Sequence, residues 1–402
     1  MLDRAGASLR GVAGDGTLTF AALATTGDGA TTFVEAHRAS APAWSTELGG
    51  TAGPLATAGD LVGVTLSGKG TLRLAKDSLA LRGDPGGVVV ALDRATGAVR
   101  WRTALDASEW SLISSIAADG DDFVVGGSFA GSLRAGSHVV TSAGGSDGFV
   151  ARVSAKGDIV WLERTGGPGT DAIQGVAAHD GRVAIAGTFS AGADLQGHAF
   201  PPFDDRSPFG DAFVAMLDDK GAYQWHATFG GRADDTVAGI TFDASGRVAV
   251  AASARETLTF GSSQLVTQGA GDGIVVWYGE SGDKGAAVAL GGFDFDGLRA
   301  ITSVGDTIVV GGFFSGQLNL GGRSSLAGGG DDAFIAALDG SGTVITSWLV
   351  SGAGREEVTA LAPIPGGFVA GIAHTAAASI DDEPLPAPKD PMAGSALIVR
   401  GL

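Results

Sequence analysis

The chain has 402 residues, of which 68 are glycine and 44% are apolar, while only 17% are charged. Such a composition excludes a disordered chain. The glycines follow no three-residue period, which excludes a collagen-like chain. No apolar run approaches the ~18 residues of a membrane span, which excludes a membrane-spanning helix. The formal charge of −18 repels phosphate backbones and anionic lipids, so we expect neither a nucleic-acid partner nor membrane insertion. The absence of cysteine excludes disulfides and thiolate metal sites.

A short apolar segment recurs every 56 to 64 residues. Its seven copies centre on Phe33, Val89, Phe149, Phe213, Ile274, Phe334 and Leu397. A glycine-containing turn follows each copy, and in five copies a tryptophan comes next: Trp44, Trp101, Trp161, Trp225 and Trp348. Two further apolar segments precede the following copy, as at 175–180 and 182–189. All of these segments are short, rich in Val, Ile and Phe, and without helical periodicity, so they predict β-strands.

Four strands in each of seven repeats predict an all-β fold, a seven-bladed β-propeller with mostly four-stranded blades. We name the strands A to D from the channel outward: A is the Val176-type segment, B the Val183-type, C the Phe149-type and D the tryptophan strand. The predicted single domain, 1–402, has blades at about 7–50, 51–107, 108–168, 169–231, 232–292, 293–353 and 354–402. Strands A to C of the last blade lie between 357 and 400. Its D strand must come from residues before Gly6 or be missing, so this blade is completed by, or open at, the chain termini.

The recurring tryptophans are interpreted as wedges between neighbouring blades rather than as ligand contacts. Strand D of the fifth blade lacks one. Its strand C carries Trp277-Tyr278 instead, and we expect these rings to fill the same gap.

Two blades resemble the bacterial SBBP-type β-propeller repeat. The resemblance rests on Gly148-Phe149-Val150-Ala151 with Gly157, Trp161 and Gly166-Gly167, and on Ala212-Phe213-Val214-Ala215 with Gly221, Trp225 and Gly230-Gly231. It extends over nearly the whole chain and implies a domain of a secreted or surface-attached bacterial protein. The chain begins Met1-Leu2-Asp3-Arg4 without a basic, apolar leader, so we expect an extracytoplasmic protein whose leader is absent from this sequence.

The resemblance implies no shared catalytic set. The stretch from Gly87 to Trp101 is also similar to a quinoprotein-type repeat. Only one blade shows this similarity, so we expect no quinone site and no other cofactor.

Two features of the sequence resemble catalytic or metal-binding sites, but we interpret both as structural. Gly144-Gly145-Ser146-Asp147-Gly148 matches the G-x-S-x-G nucleophile elbow, but it enters a strand rather than a helix, so it predicts a turn. The histidines, His37, His138, His179, His198, His226 and His374, include no pair at metal-binding spacing.

Acidic residues recur at two turns of the repeat. One set precedes strand C: Asp28, Asp84, Asp147, Asp211, Asp272 and Asp332. A second set enters strand A: Asp171, Asp235, Asp296 and Glu357. Both turns fall on one face of a propeller, which predicts an acidic ring there. We interpret these carboxylates as acceptors of backbone N–H groups in their own turns, and so expect no metal. The alternative is a calcium site or a cationic partner, for which Asp294, Asp296, Asp119 and Asp121 are candidates without the complete loop pattern.

The B–C connections vary most. In blades three, five and six a pattern such as 318–326 predicts a small extra hairpin. Blade four instead has a segment rich in proline and phenylalanine, whose candidate partner-binding residues are Phe200, Phe203, Asp204, Asp205 and Phe209. Loop aromatics on a rigid scaffold are typical of recognition surfaces. In the alternative interpretation, the three phenylalanines fold back as a local plug.

These observations predict a non-enzymatic binding or scaffolding module, either a monomeric domain or part of a larger assembly, that recognises a protein or glycan through the loop-rich face. The alternative is a hydrolase or lyase with its site at the channel mouth. An enzyme would need distinct polar residues to converge, for example His179, His198 or His226 with an aspartate and an arginine.

Overall fold

The computed structural model describes residues 7–25, 29–38, 41–202, 210–231, 235–260, 263–385 and 394–402. Within these ranges the regular structure is entirely β-strand. The same ranges hold no helix that could cross a membrane. The chain divides into two compact units, Arg10–Thr228 and Met1–Leu9 with Phe229–Leu402.

Seven successive antiparallel sheets make the fold a seven-bladed β-propeller, as predicted. Blade 1 contains β1 (Ala7–Gly14), β2 (Thr19–Thr25), β3 (Thr31–Arg38) and β4 (Ala41–Gly49). Blade 2 contains β5 (Thr51–Ala58), β6 (Leu61–Gly68), β7 (Thr71–Leu74), β8 (Asp77–Ala80), β9 (Gly86–Asp93) and β10 (Val99–Ala107). Blade 3 contains β11 (Trp110–Asp119), β12 (Asp122–Ala130), β13 (Ser132–Ala135), β14 (His138–Thr141), β15 (Asp147–Val153) and β16 (Ile159–Gly166).

The remaining blades follow the same plan. Blade 4 contains β17 (Ala172–His179), β18 (Arg182–Phe189), β19 (Asp194–Leu195), β20 (His198–Ala199), β21 (Asp211–Leu217) and β22 (Tyr223–Phe229). Blade 5 contains β23 (Thr236–Phe242), β24 (Val248–Ala254), β25 (Thr257–Phe260), β26 (Ser263–Val266), β27 (Asp272–Tyr278) and β28 (Lys284–Gly292). Blade 6 contains β29 (Gly297–Val304), β30 (Thr307–Phe314), β31 (Gln317–Leu320), β32 (Arg323–Leu326), β33 (Asp332–Leu338) and β34 (Val344–Gly352). Blade 7 contains β35 (Glu356–Ile364), β36 (Gly367–His374), β37 (Ala378–Ile380), β38 (Glu383–Pro384) and β39 (Gly394–Gly401).

The core lies in the middle strands of each sheet. Strands β21, β27 and β33 are buried at every position, because both faces of a blade are covered. Such strands need apolar residues on both sides, which explains their nearly continuous runs of Ala, Val, Ile and Phe. The B–C connection and the D–A turn lie at the same end of each sheet, and we call this end the loop-bearing edge.

Hairpins extend the outer edge of the preceding blade. The predicted hairpins of blades three, five and six are confirmed as β13–β14, β25–β26 and β31–β32, and blades two, four and seven also contain one. Strands β7, β13, β19, β31 and β37 pair with β4, β10, β16, β28 and β34, the D strands of the preceding blades. An outer strand has free N–H and C=O groups that invite association, and the hairpins cover one to three positions at one end of each of these D strands.

The sheet of blade 7 has three described strands, β35, β36 and β39, because the hairpin β37–β38 pairs with the sheet of blade 6. Strand β39 pairs with β36 over eight positions, and no other strand of the described ranges pairs with it. The predicted D strand, from residues before Gly6, lies outside those ranges. Close to that point, the Leu9 N–H donates to Ser395 Oγ at 3.3 Å, which ties the start of β1 to β39.

Tryptophans join successive blades, as predicted. The indole N–H groups of Trp44, Trp101 and Trp161 donate to backbone carbonyls in the C–D turn of the next blade, at 2.9 to 3.0 Å. In blade 5, Trp277 lies against Gly342 in the C–D turn of blade 6. The prediction is therefore confirmed for Trp277, whereas the Tyr278 ring packs on Phe260 of the same blade, with ring centroids 5.3 Å apart.

Candidate functional site

Six aspartates share one arrangement in the turns that enter strands C and A. In each, Oδ2 accepts the backbone N–H of the residue four positions earlier, at 2.5 to 3.0 Å. The pairs are Asp147 with Ala143, Asp171 with Gly167, Asp235 with Gly231, Asp272 with Gln268, Asp296 with Gly292, and Asp332 with Gly328. For these six residues, the interpretation as turn acceptors is confirmed.

Two aspartates that enter strand A also reach a second segment. Asp171 Oδ1 accepts the Ser190 N–H at 2.6 Å, and Asp296 Oδ1 accepts the Ser315 N–H at 3.1 Å. Both serines begin the B–C connection of the same blade. Each carboxylate therefore ties the D–A turn to the B–C connection and holds the loop-bearing edge in one arrangement.

The predicted set is wrong by one residue in the last blade. Glu356, not Glu357, is buried there and faces Asp332, with only 1% of its surface exposed. Glu357 is half-exposed and pairs with Arg299 at 3.5 Å. Successive residues of a strand point to opposite faces, and Glu356 shares its face with buried Val358.

Blade 2 departs from the pattern as well. Asp84 is exposed, and Asp106 accepts backbone N–H groups in this region instead, from Arg82 at 2.6 Å and Gly83 at 2.9 Å. Asp28 lies outside the described residues.

Burial changes the acidity of these carboxyl groups. It raises the pKa of Asp171 and Asp272, and it raises the pKa of Asp296 to about 6 although two N–H donors oppose the shift. Burial and the nearby Asp332 carboxyl raise the pKa of Glu356 to about 7. Desolvation disfavours the charged form, so these groups hold protons more tightly than free carboxyls do.

We predict that Asp296→Ala lowers the free energy of unfolding by about 2 kcal/mol, because two buried N–H groups lose their acceptor. Asp294→Ala, in the same turn but exposed, should stay within about 0.5 kcal/mol of the parent. Urea unfolding measures the free energy of both variants.

Millimolar calcium should leave the melting temperature of the parent equal to that in magnesium at matched ionic strength. A calcium-specific rise that disappears in Asp296→Ala would show instead that the carboxylate is a ligand.

The other calcium candidates lie elsewhere. Asp119 and Asp121 are in the A–B turn of blade 3, at the end opposite the loop-bearing edge. Asp119 Oδ2 lies 2.8 Å from Arg152 Nη1, so a guanidinium already neutralises it. No group of three or more Asp, Glu, His or Cys side chains in the described ranges is placed to hold a metal ion.

Phe200 is a core residue. It is 2% exposed and packs on Phe213 and Phe189, with ring centroids 4.8 and 5.4 Å away. Its ring is therefore the plug of the alternative interpretation rather than an available contact. Phe203, Asp204, Asp205 and Phe209 lie outside the described residues, and their partner-binding role stays a prediction.

Two histidines meet at Tyr223. The His198 ring stacks on Tyr223 at 3.7 Å, and the Tyr223 hydroxyl hydrogen-bonds to His226 Nδ1 at 2.9 Å. Burial, and then the nearby His198, lower the pKa of His226. Since Gln196 Oε1 accepts the Tyr223 N–H, the group anchors the blade 4 hairpin to strand β22. His179 pairs with its neighbour Asp180 at 3.4 Å.

A cavity of about 380 Å³ opens at the loop-bearing edge between blades 1 and 2. Between blades 3 and 4, the equivalent space is bordered by the carboxyl groups of Asp147 and Asp171. Between blades 1 and 2, Thr31 takes the position of Asp147 and Gly50 that of Asp171, so these two positions supply no carboxyl pair to fill the cavity. Lys69 and Arg73 contribute positive charge to the lining, and Ser67 contributes a hydroxyl.

An aromatic and arginine cluster lies at the loop-bearing edge between blades 5 and 6. We call Phe293, Phe295, Phe313, Arg255 and Arg299 the Phe293 cluster. Phe293 is 66% exposed and Phe295 36%. Phe295 packs on buried Phe313 at 5.6 Å, Arg255 lies 5.2 Å over Phe295, and Arg299 lies 4.7 Å over Phe313. A stacked guanidinium group and a buried base ring hold the Phe295 ring in place.

The sequence analysis missed this cluster although its signal was present. Phe293 and Phe295 flank Asp294 in a D–A turn, where a polar turn residue is usual. The reasoning about loop aromatics was applied only to blade four. The two arginines come from different segments, so their convergence becomes visible only in the folded chain.

Similarity to known proteins is found among solved structures. Neither a family model nor a curated protein matches the chain. Among solved structures, it is similar to BamB from Moraxella catarrhalis, with 17% identity, 90% of this chain and 82% of that chain covered, and a TM-score of 0.45. It is also similar to the propeller domain of the Trilobed protease from Pyrococcus furiosus, with 8% identity, 92% and 91% covered, and a TM-score of 0.48. A polysaccharide lyase, PL25-Ulvanlyase, matches with 9% identity, 97% and 93% covered, and a TM-score of 0.49.

Proposed function

We propose that this chain is a non-enzymatic binding module of an extracytoplasmic bacterial protein of the SBBP-type repeat class. It recognises a protein or glycan partner through its loop-bearing edge. The observation that carries the proposal is the Phe293 cluster, which exposes Phe293 and, two residues later, Phe295, the latter packed on Phe313 and Arg255.

The cluster has the composition of a binding hot spot. Aromatic and arginine side chains dominate the binding energy of many interfaces, because they bury a large area with little loss of side-chain freedom. Phe293 is 66% exposed, so of the two rings it would bury the larger apolar area when a partner covers it. Arg299 offers further donors while Glu357 and Phe313 orient it.

The contacts of the histidines favour a binding module over a hydrolase or lyase. The enzyme hypothesis needs one of His179, His198 or His226 to meet an aspartate and an arginine in one pocket. Instead, His198 and His226 pack around Tyr223, and His179 pairs with the exposed Asp180 in the A–B turn, at the end opposite the loop-bearing edge. Such contacts serve local packing.

We predict that Phe293→Ala weakens partner binding at least about tenfold without unfolding the protein, since truncating a hot-spot aromatic costs more than about 1.4 kcal/mol. The matched control is Leu326→Ala, a 75% exposed apolar residue on hairpin strand β32. For glycans, mobility is measured in native gels containing alginate, xylan or dextran. For proteins, a photo-crosslinking amino acid is placed at position 293 or 326 in the living bacterium.

The outcomes separate the hypotheses. A polysaccharide that retards the parent and Leu326→Ala but not Phe293→Ala supports the proposal, as does a crosslinked protein found at 293 only. Equal retardation of both variants, or equal crosslinking at both positions, would contradict it. Release of unsaturated or reducing ends from a retarding polysaccharide would favour the lyase or hydrolase.

A further inference from the structure

Two buried acidic side chains from neighbouring blades face each other at one turn. Asp332 begins strand β33 of blade 6, and Glu356 begins strand β35 of blade 7. Asp332 is fully buried and Glu356 is 1% exposed. Their carboxyl groups are close enough for a hydrogen bond between them. Two like charges at this depth would repel strongly, because no water screens them.

Three of the four oxygens of this pair lack a donor. Asp332 Oδ2 accepts the Gly328 N–H at 3.0 Å, but Asp332 Oδ1 and both Oε atoms of Glu356 have no hydrogen-bond partner when both groups are ionised. A buried acceptor without a donor is costly. One proton on either carboxyl supplies the missing donor and removes one charge, whereas a divalent cation such as calcium would need about six or more oxygen ligands.

The charged groups around the pair are already matched. Asp331 is paired with Arg355 at 2.5 Å, and Glu357 is paired with Arg299. His374, opposite Glu356 in the register of β35 and β36, has Nδ1 bound to the Ala376 carbonyl at 2.9 Å. These arginines therefore have carboxylate partners of their own.

We propose that Asp332 and Glu356 share one proton in mildly acidic solution, and that this proton locks the turn between β34 and β35. Loss of the proton as the pH rises through neutrality loosens the loop-bearing edge of blades 6 and 7.

The acidity of the pair agrees with this arrangement. Burial, followed by the charge and hydrogen bond of Asp332, raises the pKa of Glu356 from 4.5 to about 7, and burial also raises the pKa of Asp332. The two groups titrate as one unit. A carboxyl with a raised pKa in the folded state contributes its full stability below its unfolded pKa, and loses that contribution as pH rises through the folded pKa. The window of loss thus runs from about pH 5 to about pH 8.

The arrangement recurs. A methyl group placed on Gly166 would lie 2.9 Å from both Asp147 Oδ1 and Asp171 Oδ2, so these two oxygens border the same small space. Asp147 Oδ1 again lacks a donor. Here Arg164 also contacts Asp147, at 2.5 Å, and so adds a positive charge that the Asp332 pair lacks.

The test is local hydrogen exchange in residues 348–358 between pH 6 and pH 8, corrected for the intrinsic rate. In the parent, we expect the protection factor of this segment to fall about tenfold, as a shift from pKa 4.5 to about 7 requires. Glu356→Gln keeps the shape and a donor but cannot ionise, so its protection should stay constant. Glu357→Gln, the adjacent half-exposed control, should fall as the parent does.

A second measurement does not depend on any variant. Infrared difference spectra of the parent between pH 6 and pH 9 should show a protonated carboxyl band that is lost on raising the pH. Glu356→Gln or Asp332→Asn, whichever folds, should remove its largest component. Unchanged protection in the parent, an equal fall in Glu356→Gln, or no such band would each overturn the proposal.

Discussion

Deletion of Ala396 to Leu402 is expected to lower the melting temperature by more than about 5 °C, the largest loss of stability that we predict. Strand β39 pairs with β36 along its whole length and buries Ala396 and Ile398. Without it, the fully buried Phe368 and Ile372 of β36 would lose a covering neighbour. Burying one large apolar side chain is worth about 2 kcal/mol, and several are uncovered together.

The control for this deletion is removal of Leu402 alone, which lies beyond β39 and is 48% exposed. It should leave the melting temperature within about 1 °C of the parent, since exposed residues outside packed structure contribute little. Calorimetry measures both proteins. If the longer deletion has the same melting temperature as the parent, the stability of blade 7 does not depend on β39.

Gly221→Ala is expected to cost about 3 kcal/mol. Gly221 has φ of +81°, and a Cβ atom there would lie 2.8 Å from Cδ2 of the Trp161 ring. The conformation alone costs alanine about 1 to 2 kcal/mol, and displacing a packed indole adds a further ~1 to 3 kcal/mol. The Trp161 N–H bond to the Asp219 carbonyl, 3.0 Å long, would be strained as well.

Gly120→Ala separates the two costs. Gly120 also has a positive φ, +63°, but nothing lies within 4 Å of its Cβ position. The Gly120→Ala variant should lose about 1 kcal/mol of unfolding free energy, which is the cost of the backbone conformation alone. Urea unfolding of the two variants gives the difference, and Trp fluorescence should change only in Gly221→Ala. Equal losses would mean that the indole does not rest on this glycine.

The candidate surface illustrates how far sequence reasoning can reach. Loop aromatics were a sound criterion, yet Phe200 is buried and Phe293 is exposed. The difference is that Phe200 has aromatic neighbours beneath it, Phe189 and Phe213, which belong to the two strands of the same blade that flank its connection. Exposure depends on such neighbours, and a single sequence does not show them.

The choice between Glu356 and Glu357 has a similar cause. Both residues enter strand A of the last blade, and either one suits the recurring acidic position. The alternation of faces along β35 buries Glu356 together with Val358, and a shift by one residue reverses every side chain. The register with β36, which fixes this choice, is a pairing between strands.

The sequence by itself determined the strands, their number per repeat, the seven blades and the hairpins of blades three, five and six. These features follow from local rules, because alternating or continuous apolar runs between glycine turns specify strands, and equal spacing specifies repetition. Only the tertiary structure decided which edges the hairpins cover, which aromatic rings stay exposed, and that Asp332 meets Glu356. Each of these depends on groups from different blades, whose contacts are set by packing and not by spacing along the chain.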